Sequence, residues 1–186
     1  MTPSEALEQL LAGNARYVSG QTSSSNTPAD RIALASGQSP FAAIIRCADS
    51  RVAPEIVFDQ PLGSLFVCGV AGNVPTQEIV DSIEFAVQHF GLSLIVVMGH
   101  SQCSAVLAAL ESEFPEGVFA QIALTQARTL DDAVVFNAEQ GIATILSRSI
   151  LIEDAVKAGA VQVVAGVQDI ASGGFELIAQ TQLNSG

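Results

Sequence analysis

Cys47-Ala48-Asp49-Ser50-Arg51 and, further along, Gly99-His100-Ser101-Gln102-Cys103 hold the side chains best suited to chemistry in this sequence. Two thiolates and an imidazole are ligands that zinc prefers, and three protein ligands leave a fourth position open. An open position separates a catalytic zinc from a structural one. Cys47, His100 and Cys103 are therefore candidate ligands of a catalytic zinc ion. A lone His-x-x-Cys is a weak signal, and its plain alternative is a buried cysteine beside a helix-capping histidine. Cys-x-Asp-x-Arg at the end of a matching apolar run sets this chain apart from that alternative.

The elements that must position these groups follow from hydrophobic patterning. Residues 41–46 form a short apolar run ending at Cys47, and residues 94–98 form another ending just before Gly99 and His100. Residues 64–68 and 160–167 read as further strands, and 175–178 as a candidate edge strand after the turn Ser172-Gly173-Gly174. Helical spacing predicts a helix over 3–18, with Thr2 and Glu5 as its capping box and Pro3 at its first position. Residues 19–30 read as an extended arm. Helices are predicted over 76–90, stopping at Gly91, and over about 102–112. Residues 118–157 read as mostly helical, broken near Gly141 and closed by Lys157 and Gly159. The fold class is α/β: a central, mainly parallel sheet of four strands with a fifth candidate at its edge, flanked by helices, behind an N-terminal helical arm. The whole chain, 1–186, reads as a single domain, with the helix and arm over 1–30 and the α/β core over 37–186. Such sheets bind ligands at the carboxyl ends of their strands, where both motifs fall.

Composition removes several classes of function. Net charge is −12 with only 7 Lys+Arg in 186 residues, too few cations for a nucleic-acid groove or an anionic membrane surface. Apolar residues make up 49% and mean hydropathy is +0.43, yet no apolar run reaches spanning length. Buried parallel strands and a large subunit interface account for the excess. Three cysteines, two at metal spacing, give no disulfide framework and point to a reducing compartment. The first residues lack a signal-peptide pattern, so the expected location is the cytoplasm, or another compartment if a targeting segment has been removed.

The two motifs resemble those of the β-class carbonic anhydrases. Gly37-Gln38-Ser39-Pro40, Leu65-Phe66-Val67, Ala71-Gly72-Asn73 and Ser82-Ile83-Glu84-Phe85 extend the likeness. The resemblance implies a zinc lyase that reversibly hydrates CO2 to bicarbonate, with one zinc per subunit on Cys47, His100 and Cys103. Water or hydroxide in the fourth position would attack CO2. Asp49 and Arg51 look like the family's dyad, in which the carboxylate orients the nucleophile and the guanidinium keeps it ionised and turned from the metal. In some members the aspartate swings onto zinc instead. The alternative for this pair is a plain surface ion pair.

By resemblance, Gln38 donates to substrate or bicarbonate across a subunit interface, and Phe66, Val70 and Phe85 line the CO2 pocket. Their alternatives are a helix-end glutamine and ordinary core. Gly72 stands near the substrate site by the same likeness, although Ala71-Gly72-Asn73 reads as a turn and is too short for a phosphate loop. Cys68 reads as a small buried hydrophobe and His89 as structural or solvent-facing.

The implied assembly is a homodimer or higher homo-oligomer, with the 3–18 helix and the 19–30 arm wrapping a neighbour. Gly69 stands where the family usually has arginine, which argues for the plant-type site over the allosteric subtype. Ser104 and Gln168 are further departures. Two rival readings share the resemblance: hydrolysis of a CO2 isostere such as carbonyl sulfide or carbon disulfide, and a degenerate member that keeps zinc for structure.

Overall fold

Pro3 has no N–H to lose and a φ already suited to a helix, so the chain enters its first helix there. In the computed structural model, which describes residues 1–124, 127 and 129–182, α1 spans Pro3–Val18. Thr2 and Glu5 exchange both bonds of the expected capping box, at 2.8 and 3.3 Å. Ala6, Leu10 and Gly13 lie on one stripe and are buried.

Five strands follow: β1 Ala42–Cys47, β2 Leu65–Val70, β3 Leu94–His100, β4 Gln162–Gln168 and β5 Phe175–Gln180. They form one sheet in the order β2-β1-β3-β4-β5, the first four parallel and β5 antiparallel at the edge. This is the expected sheet, with the edge strand in place. β3 is buried at every position, which is why its sequence is a continuous apolar run rather than an alternating one. The chain leaves β1 toward β2 and leaves β3 toward β4, so the crevice between the carboxyl ends of β1 and β3 is a topological switch point.

The helices are α2 Pro28–Leu34, α3 Pro54–Val57, α4 Gln77–Phe90, α5 Ser104–Glu111, α6 Leu130–Arg148 and α7 Ile150–Lys157, with a 3-10 turn at Phe119–Gln121. On one face of the sheet, Ala6 and Leu10 of α1 join Phe58 in a core with Ile44, Leu94, Val96, Met98 and Val164. On the other, Ile79 and Ile83 of α4, Ile145 of α6 and Ile152 of α7 pack with Ala43, Ile45, Ile95, Val97 and Val163. Gly91 takes the left-handed conformation as the C-cap of α4, and Gly159 (φ +70°) follows α7, as expected. Among the described residues no helix is long and apolar enough to cross a membrane.

Several expectations need correction. The helix over 130–148 does not break at Gly141. That residue is buried against β3, where an added Cβ would lie 2.7 Å from Val97 Cγ1, so the glycine serves close helix–sheet approach rather than a stop. The break falls at Ser149, whose backbone is extended and whose hydroxyl caps Ile152 N at 3.0 Å. The part of the 118–157 helix reading that falls on 125, 126 and 128 lies outside the described residues. The arm over 19–30 is not wholly extended: α2 starts at Pro28 behind a Thr27–Asp30 capping box. α3 was not expected at all. Cys47 and His100 are the last residues of their strands rather than the first beyond them.

Within its own chain α1 is closely packed. Gly13 comes so close to α3 that an added Cβ would lie 1.8 Å from Phe58 O. Asn14, buried next to it, donates to Val57 O at 3.0 Å and Gly173 O at 2.9 Å and accepts from Phe175 N at 2.8 Å. The arm is tied to its own chain as well. The carboxylate of Asp59, in a left-handed conformation (φ +46°), accepts from Arg16 Nε and from the backbone N–H groups of Ser23 and Ser24. Burial works against the ionised form of Asp59, but these donors outweigh it and hold its carboxyl well below the usual carboxylate range. A depressed folded-state pKa gives stability that is complete above the unfolded value, about 4, and is lost as pH falls through the folded one. Asp59→Asn is therefore expected to be less stable than the parent in urea at pH 7 and to be nicked faster by protease within 19–26. The stability gap should close as the pH drops below about 4. An equal gap at pH 7 and pH 3 would contradict the assignment.

Candidate metal centre

β1 and β3 run side by side, so their last residues deliver Cys47 and His100 to one end of the sheet. Ala48 N donates to Val70 O at 3.0 Å and Ser101 N to Gln168 O at 2.8 Å, so both ligand turns remain pinned just beyond the ladders. Gln102 sits in the left-handed region (φ +54°), uncommon for a residue of its kind, and turns the chain back so that Cys103 joins His100. The ligand atoms of Cys47, His100 and Cys103 all lie within 4.8 Å of one another, and all three residues are buried.

The donor set fits zinc. Cys47 Sγ and Cys103 Sγ are 3.8 Å apart, far too distant for a disulfide. Two sulfurs each about 2.3 Å from a shared tetrahedral centre are separated by about that distance. His100 Nδ1 lies 2.9 Å from Ser101 O, and a carbonyl only accepts, so that nitrogen carries the proton. Nε2 is left with a lone pair, buried and without a partner. An orphaned acceptor beside two sulfurs is a donor set that fits a zinc ion.

The contact between the two sulfurs favours ionising one of them before the other. Cys47 accepts from Cys103 S–H, and this contact, with the Gly72 N–H, pulls its thiol well below the ordinary range against the opposing effect of burial. Cys103 keeps that proton and is pushed well above the ordinary thiol range by the same contact and by burial. A divalent cation would take the proton's place with both sulfurs ionised.

Gly72 contacts the candidate ligand Cys47. Its N–H donates to Cys47 Sγ at 3.3 Å, and its φ of +79° orients that peptide. Its carbonyl accepts from Asn137 Nδ2 at 2.8 Å, and Asn137 Oδ1 accepts from Ala123 N at 3.0 Å. Asn137, a buried amide of α6, thus fixes the 71–73 turn against the sulfur. The signal for it in the sequence is an asparagine on the inner face of an otherwise apolar helix.

Asp49 and Arg51 form a bidentate pair, with Arg51 Nε 2.9 Å from Oδ1 and Nη2 2.7 Å from Oδ2. Arg51 N also donates to Oδ1 at 2.9 Å. The Arg51 guanidinium holds the Asp49 carboxyl well below the usual carboxylate range, against a smaller opposing effect of burial. Arg51 Nη2 reaches Gln102 O at 3.3 Å, so the same side chain spans both ligand turns.

Other candidates fall elsewhere. Val70 packs against the cores on both faces of the sheet, including the one that holds Cys47 and Cys103. Phe66 packs on the opposite face, where its ring meets Phe90 at 6.2 Å. Phe85 is 45% exposed on α4 and stacks on His89 at 4.1 Å. Gln38 lines a separate surface groove of about 550 Å³ with Arg31, Leu34 and Leu62. A single chain therefore does not bring Gln38, Phe66 or Phe85 to the ligand trio. Cys68 is half-buried on β2, and burial pushes its thiol up.

A family model described as carbonic anhydrase matches residues 42–133. Carbonic anhydrase 2 of Mycobacterium tuberculosis is 49% identical over 109 residues, covering 58% of this chain and 53% of that protein. The carbonic anhydrase of Mycolicibacterium smegmatis is 37% identical over 191 residues, covering 94% of this chain and 93% of that protein. The matched stretch thus spans about half the length of the first relative and nearly all of the second. Among solved structures, a tetrameric β-carbonic anhydrase from Sordaria macrospora superposes with a TM-score of 0.71 at 22% identity, covering 96% of this chain and 100% of that one. Coccomyxa β-carbonic anhydrase, solved with acetazolamide, gives 0.67 at 23% identity, covering 95% and 83%. At such identities these two likenesses are ones of fold.

Proposed function

This chain belongs to the β-class carbonic anhydrase family, and from that premise we propose that it reversibly hydrates CO2 to bicarbonate and a proton at a zinc held by Cys47, His100 and Cys103. The observation that carries the proposal is the buried trio with an unpartnered His100 Nε2, set beside a bidentate Asp49–Arg51 pair. A structural zinc site has no use for that pair. Zinc, when bound, supplies the Lewis acidity that makes water nucleophilic near neutral pH. Ionised Asp49 offers an acceptor to the attacking water and aims its lone pair at CO2, while Arg51 keeps the carboxylate from turning to the metal. Gly72 N–H, braced by Asn137, steadies the Cys47 sulfur. Gln38, Phe66 and Phe85 would come from a second copy of the chain, the neutral Gln38 amide steadying charge that develops on the substrate. A homodimer or larger homo-oligomer is the assembly this reading requires.

Stopped-flow CO2 hydration with zinc analysis tests the proposal. The expected result is stoichiometric zinc and hydration that strengthens toward about pH 8–9, because two thiolates offset the charge of the metal and leave its water less acidic than at a three-histidine site. Stoichiometric zinc without hydration at that pH would sink the proposal. Carbonyl sulfide hydrolysed far more efficiently than CO2 is hydrated would replace it with the isostere reading.

A further inference from the structure

Arg46 immediately precedes the first candidate ligand, yet neither motif includes it. Two other arginines have carboxylate partners, Arg16 with Asp59 and Arg51 with Asp49. Among the described residues no carboxylate lies within ion-pair distance of Arg46. In an acidic chain an arginine without an acid, and with a buried Nε that has no acceptor, carries an uncompensated desolvation penalty. Its contacts show what holds it in place. Nη1 donates to Cys47 O at 2.7 Å and to Asp49 O at 3.4 Å. Across the ladder, Gly69 pairs in register with Arg46, and a Cβ there would stand 3.6 Å from Arg46 Cζ and Nε. That is an ordinary contact distance, so the guanidinium lies alongside Gly69 of β2 as it reaches the two carbonyls.

These carbonyls bracket the turn that carries both a ligand and the dyad. The direction of the Asp49 peptide sets where its side chain leaves the backbone. Asp49 is therefore held at both ends by different guanidiniums, its carbonyl by Arg46 and its carboxylate by Arg51. A carboxylate released from this geometry would have a strong alternative partner in a cation on Cys47, His100 and Cys103.

Resting on the zinc-site reading above, we propose that Arg46 is a positioning residue for the dyad: it anchors the Cys47 and Asp49 carbonyls so that the Asp49 carboxylate faces Arg51 rather than the metal.

The test is a double-mutant cycle with a structural readout. Arg46→Gln, zinc-loaded, should keep its metal and circular dichroism, lose about ten- to a hundredfold in kcat for CO2 hydration, and change KM less than kcat. In an Asp49→Ala background the same substitution should cost no further activity, because Arg46 acts through Asp49. Arg46→Lys, which can still donate to a carbonyl, should recover part of the loss and serves in place of Arg46→Gln if that variant does not fold. A crystal structure of the zinc-loaded variant should show the Asp49 carboxylate parted from Arg51. That last readout needs no turnover, so it remains decisive even if the parent protein proves inactive toward CO2. An Asp49–Arg51 pair unchanged in that structure, or an equal loss of activity in both backgrounds, would overturn the proposal.

Discussion

Cys47→Ala is expected to empty the metal centre and bring CO2 hydration down to the uncatalysed rate. The substitution removes one of two sulfurs 3.8 Å apart and leaves Cys103 and His100 as an incomplete set. Apparent binding energies of protein zinc sites run to roughly 10–16 kcal/mol, so an equal share per ligand is about 3–5 kcal/mol. That predicts a loss of zinc affinity on the order of 10²- to 10⁴-fold. The Gly72 N–H also loses its acceptor, which unpins the 71–73 turn. Zinc remaining after dialysis against a chelator, set beside stopped-flow rates, is the measurement. A variant that kept its full metal content and the parent rate would remove Cys47 from the ligand set.

Asp49→Asn should show the opposite division: zinc retained, hydration reduced by about 10²- to 10³-fold. The amide keeps the shape of the carboxylate and discards its charge. Arg51 then loses a charge-assisted partner and both ligand turns lose part of their brace, since Arg51 also reaches Gln102 O. Acid should not reproduce this effect in the ordinary carboxylate range. The Asp49 carboxyl is held below that range, so its ionised form persists above about pH 4 and is lost only as pH falls through the lower folded value. Zinc content by mass spectrometry and kcat at saturating CO2 make the comparison. Parent-like turnover in Asp49→Asn would leave the pair a plain surface ion bridge.

The Cys47, His100 and Cys103 trio was legible in the sequence because each lies within a few residues of a strand end, where spacing and hydrophobic periodicity place it, and the Asp49–Arg51 pair because family resemblance marked it beside the first cysteine. The sheet was legible from the same periodicity. The supports of the site were not. Asn137 meets Gly72 only after α6 has folded over the end of the sheet, and nothing in the local pattern pairs two such distant residues. Arg46 reads as one polar residue in a strand until its guanidinium is seen to turn back on the following carbonyls. Gly141 misled because a glycine in a helical pattern signals either a stop or a close approach, and only Val97 behind it decides between them. For α2 the start signal, Thr27-Pro28 with Asp30, lay at the end of a polar stretch that read as arm. Phe66 and Phe85 were drawn to the site by family likeness alone, whereas for Gln38 the same likeness already implied a neighbouring copy of the chain.

Asn14 has a consequence for the order in which the chain is made. It is synthesised well over a hundred residues before Gly173 and Phe175, yet two of its three bonds go to them. Both metal-ligand turns, by contrast, lie in the middle of the chain and have all their ligands once residue 103 has emerged. Asn14 and the 173–175 segment act as a clasp that closes after the segment holding both turns already exists, and contacts of such long sequence separation are slow to form. Until β5 arrives, α1 is held by its bonds to Val57, Asp59 and Gln60 and by its apolar stripe.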